Sequence, residues 1–134
     1  MKVLKFGGSS LADAQRYQGV ADIVFDVHQT HGAAAVLSAP KGVTNALSLL
    51  VEQAQAQEDF GELQAKLTMT LNSIVAELMG AVEGFKPEPV KAVIDDALTI
   101  LDEKLRGISL LNSAPQSTTA ELLSLGEYVS VNIL

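Results

Sequence analysis

KFGGSS, residues 5–10, ends a short apolar run and then sets two glycines and two serines just ahead of a helical pattern. Glycines at a strand end let the backbone come close to a ligand with its N–H groups free. A helix that follows turns the positive end of its dipole toward the same place. That combination suits a phosphate. Working outward, residues 2–6 (KVLKF) read as a strand and residues 33–38 (AAAVLS) as a second, bounded by Gly32 and Pro40. Between them Asp13 to His28 carries helical spacing, with Tyr17, Val20, Ala21, Val24 and Val27 as its apolar stripe. Ser10 with Asp13 three residues on resembles a capping box, and Gly32 stops the helix. The expected unit is β-α-β with a right-handed crossover.

The composition agrees with that unit. The 134 residues are 48% hydrophobic but only 4% aromatic, with no tryptophan. The core must therefore come from Ala, Val, Leu and Ile, which fits α/β or helical proteins better than a β-sandwich. Nine basic residues against sixteen acidic ones leave a net charge of -7. That balance opposes binding to nucleic acid by counterion release and attraction to an anionic membrane surface. The absence of cysteine excludes disulfides and thiolate metal sites, and "MKVLKFGG" lacks the apolar segment of a signal peptide. No apolar run approaches the roughly eighteen residues of a membrane span. A cytoplasmic chain is expected.

Beyond the second strand, "SAPKGVTN" reads as a turn and residues to about Gln57 as a helix buried through Val43, Leu47, Leu50, Val51 and Ala54. Residues 61–83 and 88–105 give two more helical patterns, separated by "GFKPEP". They form an expected helical hairpin inserted at about 59–113. "SAPQST" is a loop, and Thr118 to Leu134 reads as one last helix. "EYVSVNIL" stops in mid-pattern, and a parallel sheet of two strands is too small to stand alone. The expectation is one unit, residues 1–134, that is the N-terminal piece of a longer protein and a homo-oligomer.

Lys5 with Gly7 and Gly8 matches neither a Walker A loop nor GxGxxG, and a surface lysine beside a tight turn is the plain alternative. Ser38 stands at the carboxyl end of the second strand, where ligands of parallel sheets bind, so Lys5 and Ser38 should share a rim. Thr44 and Asn45 open the next helix and could offer polar groups, although ordinary capping explains them equally. On a helical wheel Leu123, Glu127 and Val131 share a row, so a carboxylate interrupts an apolar stripe. Such a charge needs a cationic partner or an ammonium ligand, unless it lies at the stripe's edge. His28 and His31 read as helix-end polar residues, with no third ligand to make a metal site.

"KVLKFGGSSLAD", "VLSAPKGVTNAL" and "LLSLGEYVS" resemble, in order and spacing, the three N-terminal signature segments of aspartokinases in the amino-acid kinase superfamily. Together with "GISLLNS", the second segment is most similar to the bifunctional enzymes that fuse aspartokinase to homoserine dehydrogenase. The resemblance implies an α/β fold, the N-terminal part of a doubly wound amino-acid-kinase-type sandwich with a helical hairpin insertion. It implies transfer of the ATP γ-phosphoryl group to the β-carboxylate of L-aspartate, with Mg2+ held mainly through ATP. A kinase for another acidic amino acid, or a non-catalytic interaction module of the same fold, is the alternative.

Carried over by position, the resemblance makes Lys5 the cation that bridges the ATP phosphates. Gly7 and Gly8 supply backbone N–H contacts, with Ser9 and Ser10 lining the same loop. Ser38 and Thr44 correspond to aspartate-contacting positions, and Glu127 to the acid that receives the substrate ammonium. Ser-Ser stands after Gly-Gly where Thr-Ser is frequent. The later glycine-rich segment, the arginine for the substrate α-carboxylate and the nucleotide-base pocket lie outside these residues. Half a substrate site and no independent kinase activity are therefore expected.

Overall fold

A computed structural model describes residues 1–134. Strand β1 (Lys2–Phe6) leads through a 3-10 turn (Gly8–Leu11) into helix α1 (Ala14–His31), which returns to strand β2 (Ala33–Leu37). The strands pair in parallel, Lys2 opposite Ala33 through Phe6 opposite Leu37. The expected β-α-β unit is present, with two differences at the start of the helix. Asp13, not Ser10, caps α1, its carboxylate accepting from the Arg16 N–H at 2.9 Å, while Ser10 sits inside the 3-10 turn. At the other end Gly32 adopts φ 71° and donates its N–H to the His28 carbonyl, a geometry that glycine takes without strain.

Helix α2 (Val43–Gln55) follows a left-handed Gly42, φ 84°. Its buried side is Val43, Leu47, Leu50, Val51 and Ala54, the spacing read from the sequence. Helices α3 (Gly61–Ala81) and α4 (Pro87–Leu111) form the hairpin. Pro87 starts α4, where its missing N–H costs nothing, and left-handed Asn112 ends it, with the Ser113 N–H reaching the Ile108 carbonyl. The helix thus runs further than the expected 88–105, because "GISLL" continues the apolar face through Ile108. Arg106 forms a 2.7 Å ion pair with Asp102, one turn away. That guanidinium, with the Gln64 amide, holds the Asp102 carboxyl below its usual range. Leu67, Leu71, Ile74 and Leu78 of α3 and Val90, Ile94, Leu101 and Leu105 of α4 merge into one core with Leu11, Tyr17 and Leu50. The hairpin is therefore built into the main core.

The final segment departs from expectation. It is two helices, α5 (Gln116–Leu123) and α6 (Leu125–Ile133), broken at Ser124. The Ser124 hydroxyl donates back to the Glu121 carbonyl at 2.7 Å, the kind of local bond that bends helices. The break shifts the phase of the wheel. Leu122, Val129, Ser130 and Ile133 are buried, whereas Val131 is 57% exposed. Leu123, Glu127 and Val131 are thus the edge of the stripe and not its centre.

Candidate functional site at the carboxyl rim of the sheet

The ladder places Lys5 opposite Val36 and Phe6 opposite Leu37, and the Ser38 N–H donates to the Phe6 carbonyl at 3.0 Å. Pairing thus extends one residue past β2. It brings the glycine loop and Ser38 to the same end of the sheet, as the parallel topology requires. Lys5 is exposed, and the ion pairs Arg16–Asp13, Lys104–Glu121 and Arg106–Asp102 do not involve it.

The two glycines do different work. Gly7 has an ordinary extended backbone, φ -83° and ψ 172°, and a Cβ on it would meet nothing within 4 Å. Nothing inside the chain demands glycine there, and the space outside it is open. A Cβ on Gly8 would lie 3.3 Å from the Ala39 carbonyl oxygen and 3.6 Å from Lys41 Cα, so the loops after β1 and β2 touch at this point. Ser9 and Ser10 complete the turn, with the Ser10 N–H on the Gly7 carbonyl at 3.0 Å. The Arg16 guanidinium, through Nη1, holds the Ser9 carbonyl at 2.7 Å. Nothing in the sequence marks Arg16 for this contact beyond its place one turn into a capped helix.

Thr44 and Asn45 are exposed in the first turn of α2, and no side chain caps that helix. Its first N–H groups are therefore not consumed by a Ser, Thr or Asp side chain. His28 and His31 end α1 as polar residues: the His28 ring meets the Ala33 N–H at 3.3 Å and His31 meets the Thr30 hydroxyl at 2.6 Å.

Gly126, the residue before Glu127, brings α6 against the segment that follows β2. A Cβ on Gly126 would stand 2.6 Å from the Ala39 Cβ and 3.1 Å from Val43 Cγ1, so α6 packs backbone-close on the loop that follows β2. Glu127 is half-buried, and its Oε2 is shielded from solvent without a hydrogen-bond partner in the chain. A buried carboxylate oxygen left so costs several kcal/mol unless a donor meets it. Helix α6 is also fixed to α1 by a buried hydrogen bond between the Tyr17 and Ser130 hydroxyls, 2.7 Å. Burial pushes the Tyr17 hydroxyl up to about 12, against the opposing effect of the Ser130 bond. Neither member of this pair is legible from the sequence as a polar contact, because Tyr17 reads as one more stripe residue.

Lys5, the glycine loop and Ser38 thus stand at one end of a parallel sheet in an α/β domain, and Glu127 carries a shielded carboxylate oxygen with no donor in the chain. The chain belongs to the amino acid kinase family, whose model matches residues 1–134. It is 31% identical over 134 residues to a bifunctional aspartokinase/homoserine dehydrogenase of Buchnera aphidicola, covering 100% of this chain and 16% of that protein. It is 35% identical over 132 residues to the chloroplastic aspartokinase 1 of Arabidopsis thaliana, covering 98% and 22%. Among solved structures it is similar to E. coli aspartokinase III in complex with aspartate and ADP (R-state), at 27% identity and a TM-score of 0.78, over 98% of this chain and 27% of that one. The same enzyme with lysine and aspartate (T-state) gives a TM-score of 0.69 at 25% identity, over 98% and 28%. The chain thus spans about a sixth of the bifunctional relative's length.

Proposed function

We propose that residues 1–134 are the N-terminal part of the catalytic domain of an aspartate kinase, with the α3–α4 hairpin as an insertion at about 59–113. The observation that carries this reading is the convergence on the loop from Ser38 to Thr44. The glycine loop abuts it through Gly8 and the helix bearing Glu127 abuts it through Gly126. A phosphate site and an amino-acid site would then share one wall.

In this reading Lys5 and the N–H groups of Gly7 and Gly8 hold the ATP phosphates, with the Ser9 and Ser10 turn shaping the loop. Ser38 and Thr44 meet aspartate, and the Glu127 carboxylate receives its ammonium. A β-carboxylate oxygen attacks the γ-phosphorus, a new O–P bond forms, and the bond to the β,γ-bridging oxygen breaks to release ADP. The nucleophile is already an anion, so no general base is required. Positioning and positive charge supply the catalysis. Lys5 and the N–H groups of the glycine loop suit phosphate oxygens, and a magnesium ion held mainly through ATP would draw charge from the moving group. No helix is long and apolar enough to cross a membrane.

The test is an assay of the full-length protein containing residues 1–134, with hydroxylamine to trap an acyl phosphate. ATP-dependent hydroxamate should form from L-aspartate and not from L-glutamate. Preference for glutamate, or no product from either, would overturn the assignment.

A further inference from the structure

Gly126 lies where three parts of the proposed aspartate site meet. Ala39 and Val43, the two residues a Gly126 side chain would strike, are 3% and 2% exposed. Ala39 follows Ser38, Val43 precedes Thr44, and Gly126 precedes Glu127. We propose that Gly126 is a positioning residue for the amino-acid substrate, its missing side chain setting the distance between α6 and the Ser38–Thr44 loop. The inference deepens the reading above and rests on it.

A glycine inside a helix costs about 0.5–1 kcal/mol relative to alanine, so its presence in α6 calls for a reason. For Gly19, Gly80 and Gly107, in the other helices, a Cβ would meet nothing within 4 Å. At Gly126 it would meet Ala39 Cβ at 2.6 Å, and an alanine methyl has no rotamer by which to yield. On its other side the Ala39 carbonyl faces Gly8, where a Cβ would lie 3.3 Å away. Ala39 thus lies between the two glycines, and a methyl on residue 126 fits only if α6 and the Ser38–Thr44 segment separate. Carbon atoms in contact sit about 3.5–4.0 Å apart, so a methyl at residue 126 separates the two by roughly 1 Å. That displacement moves Glu127 away from Ser38 and Thr44 while leaving Lys5 in its strand.

The experiment is steady-state kinetics on the full-length protein carrying Gly126→Ala, alone and with Ala39→Gly, beside Glu127→Gln. Gly126→Ala should raise the KM for aspartate at least ~10-fold with the KM for ATP within ~2-fold, the scale of an ångström-sized misplacement. Adding Ala39→Gly moves the methyl across the contact, and should return the aspartate KM to within ~3-fold of wild type, since volume-conserving exchanges are tolerated best. A merely structural glycine would lower the melting temperature without splitting the two KM values. If Gly126→Ala alone does not fold, the double variant decides: soluble with a near-normal aspartate KM supports the proposal, and insoluble or still impaired for aspartate overturns it. Equal changes in both KM values for the single variant also overturn it. Should Glu127→Gln leave the aspartate KM unchanged, the role of Glu127 fails and this inference falls with it. A selective effect in Glu127→Gln with none in Gly126→Ala removes this inference alone.

Discussion

The Tyr17 hydroxyl, on the helix that follows the glycine loop, meets the Ser130 hydroxyl on the helix that carries Glu127, 2.7 Å away and out of solvent. One buried hydrogen bond thus ties together the two ends of the proposed site. Tyr17→Phe or Ser130→Ala each leaves one buried hydroxyl unpaired, which costs about 1–3 kcal/mol. Removing both leaves no orphan, so the double variant should be less destabilised than the sum. Chemical denaturation of the three variants measures the coupling, and strict additivity would show that the bond contributes nothing.

The same pair makes stability fall in alkali. The Tyr17 hydroxyl is held up to about 12 by burial, against an ordinary value of 10.0 in the unfolded chain. The folded state keeps its proton where the unfolded state loses it. The contribution is therefore complete below pH 10 and is lost as pH rises through about 12. Tyr17→Phe should be destabilised at pH 8 yet show a flatter decline over that window. A parallel decline in the two proteins would place the alkaline loss elsewhere.

Glu127→Gln in the full-length protein should raise the KM for aspartate by ~10-fold or more while the KM for ATP moves little, because a charged partner in a shielded site is worth about 2–5 kcal/mol. Initial-rate measurements varying each substrate separate the two. Equal weakening of both would assign Glu127 a structural role.

Much of this fold is legible without coordinates because the chain punctuates it strongly. Gly7 and Gly8 end the first strand, Gly32 ends the first helix, and the leucines of α2, α3 and α4 repeat at helical spacing. The kink at Ser124 is not legible, since "TAELLSLGEYVS" has continuous helical preference and the bond from Ser124 to Glu121 is a local choice made under tertiary packing. A wheel drawn through that kink places Glu127 on the wrong part of the face. The carboxylate still stood out, because a charge within an apolar pattern needs explaining wherever the phase falls. Tyr17 with Ser130, and Gly126 against Ala39, are contacts between distant parts of the chain that no local pattern encodes.

Exposed apolar groups bear on the 134-residue chain studied alone. Each strand of the two-stranded sheet has a free edge, and Val3 (68%), Phe25 (61%) and Val36 (50%) are open to water. Unpaired edges and apolar patches recruit another chain. Sedimentation equilibrium should therefore find a dimer or larger species. A calorimetric titration should show ATP binding no tighter than about millimolar, because in the proposed reading these residues meet ATP through its phosphates alone. A monomer with micromolar ATP affinity would contradict both expectations.

The central claim is that Lys5 stands against the phosphoryl group in transit. Its most direct test is the turnover number of full-length protein bearing Lys5→Ala, measured as ATP-dependent aspartyl hydroxamate at saturating substrates, with circular dichroism of the same sample to confirm folding. Loss of at least ~100-fold in kcat with an unchanged spectrum is the predicted result, the scale of removing one key transition-state charge. A folded variant that turns over at near the wild-type rate would contradict the account.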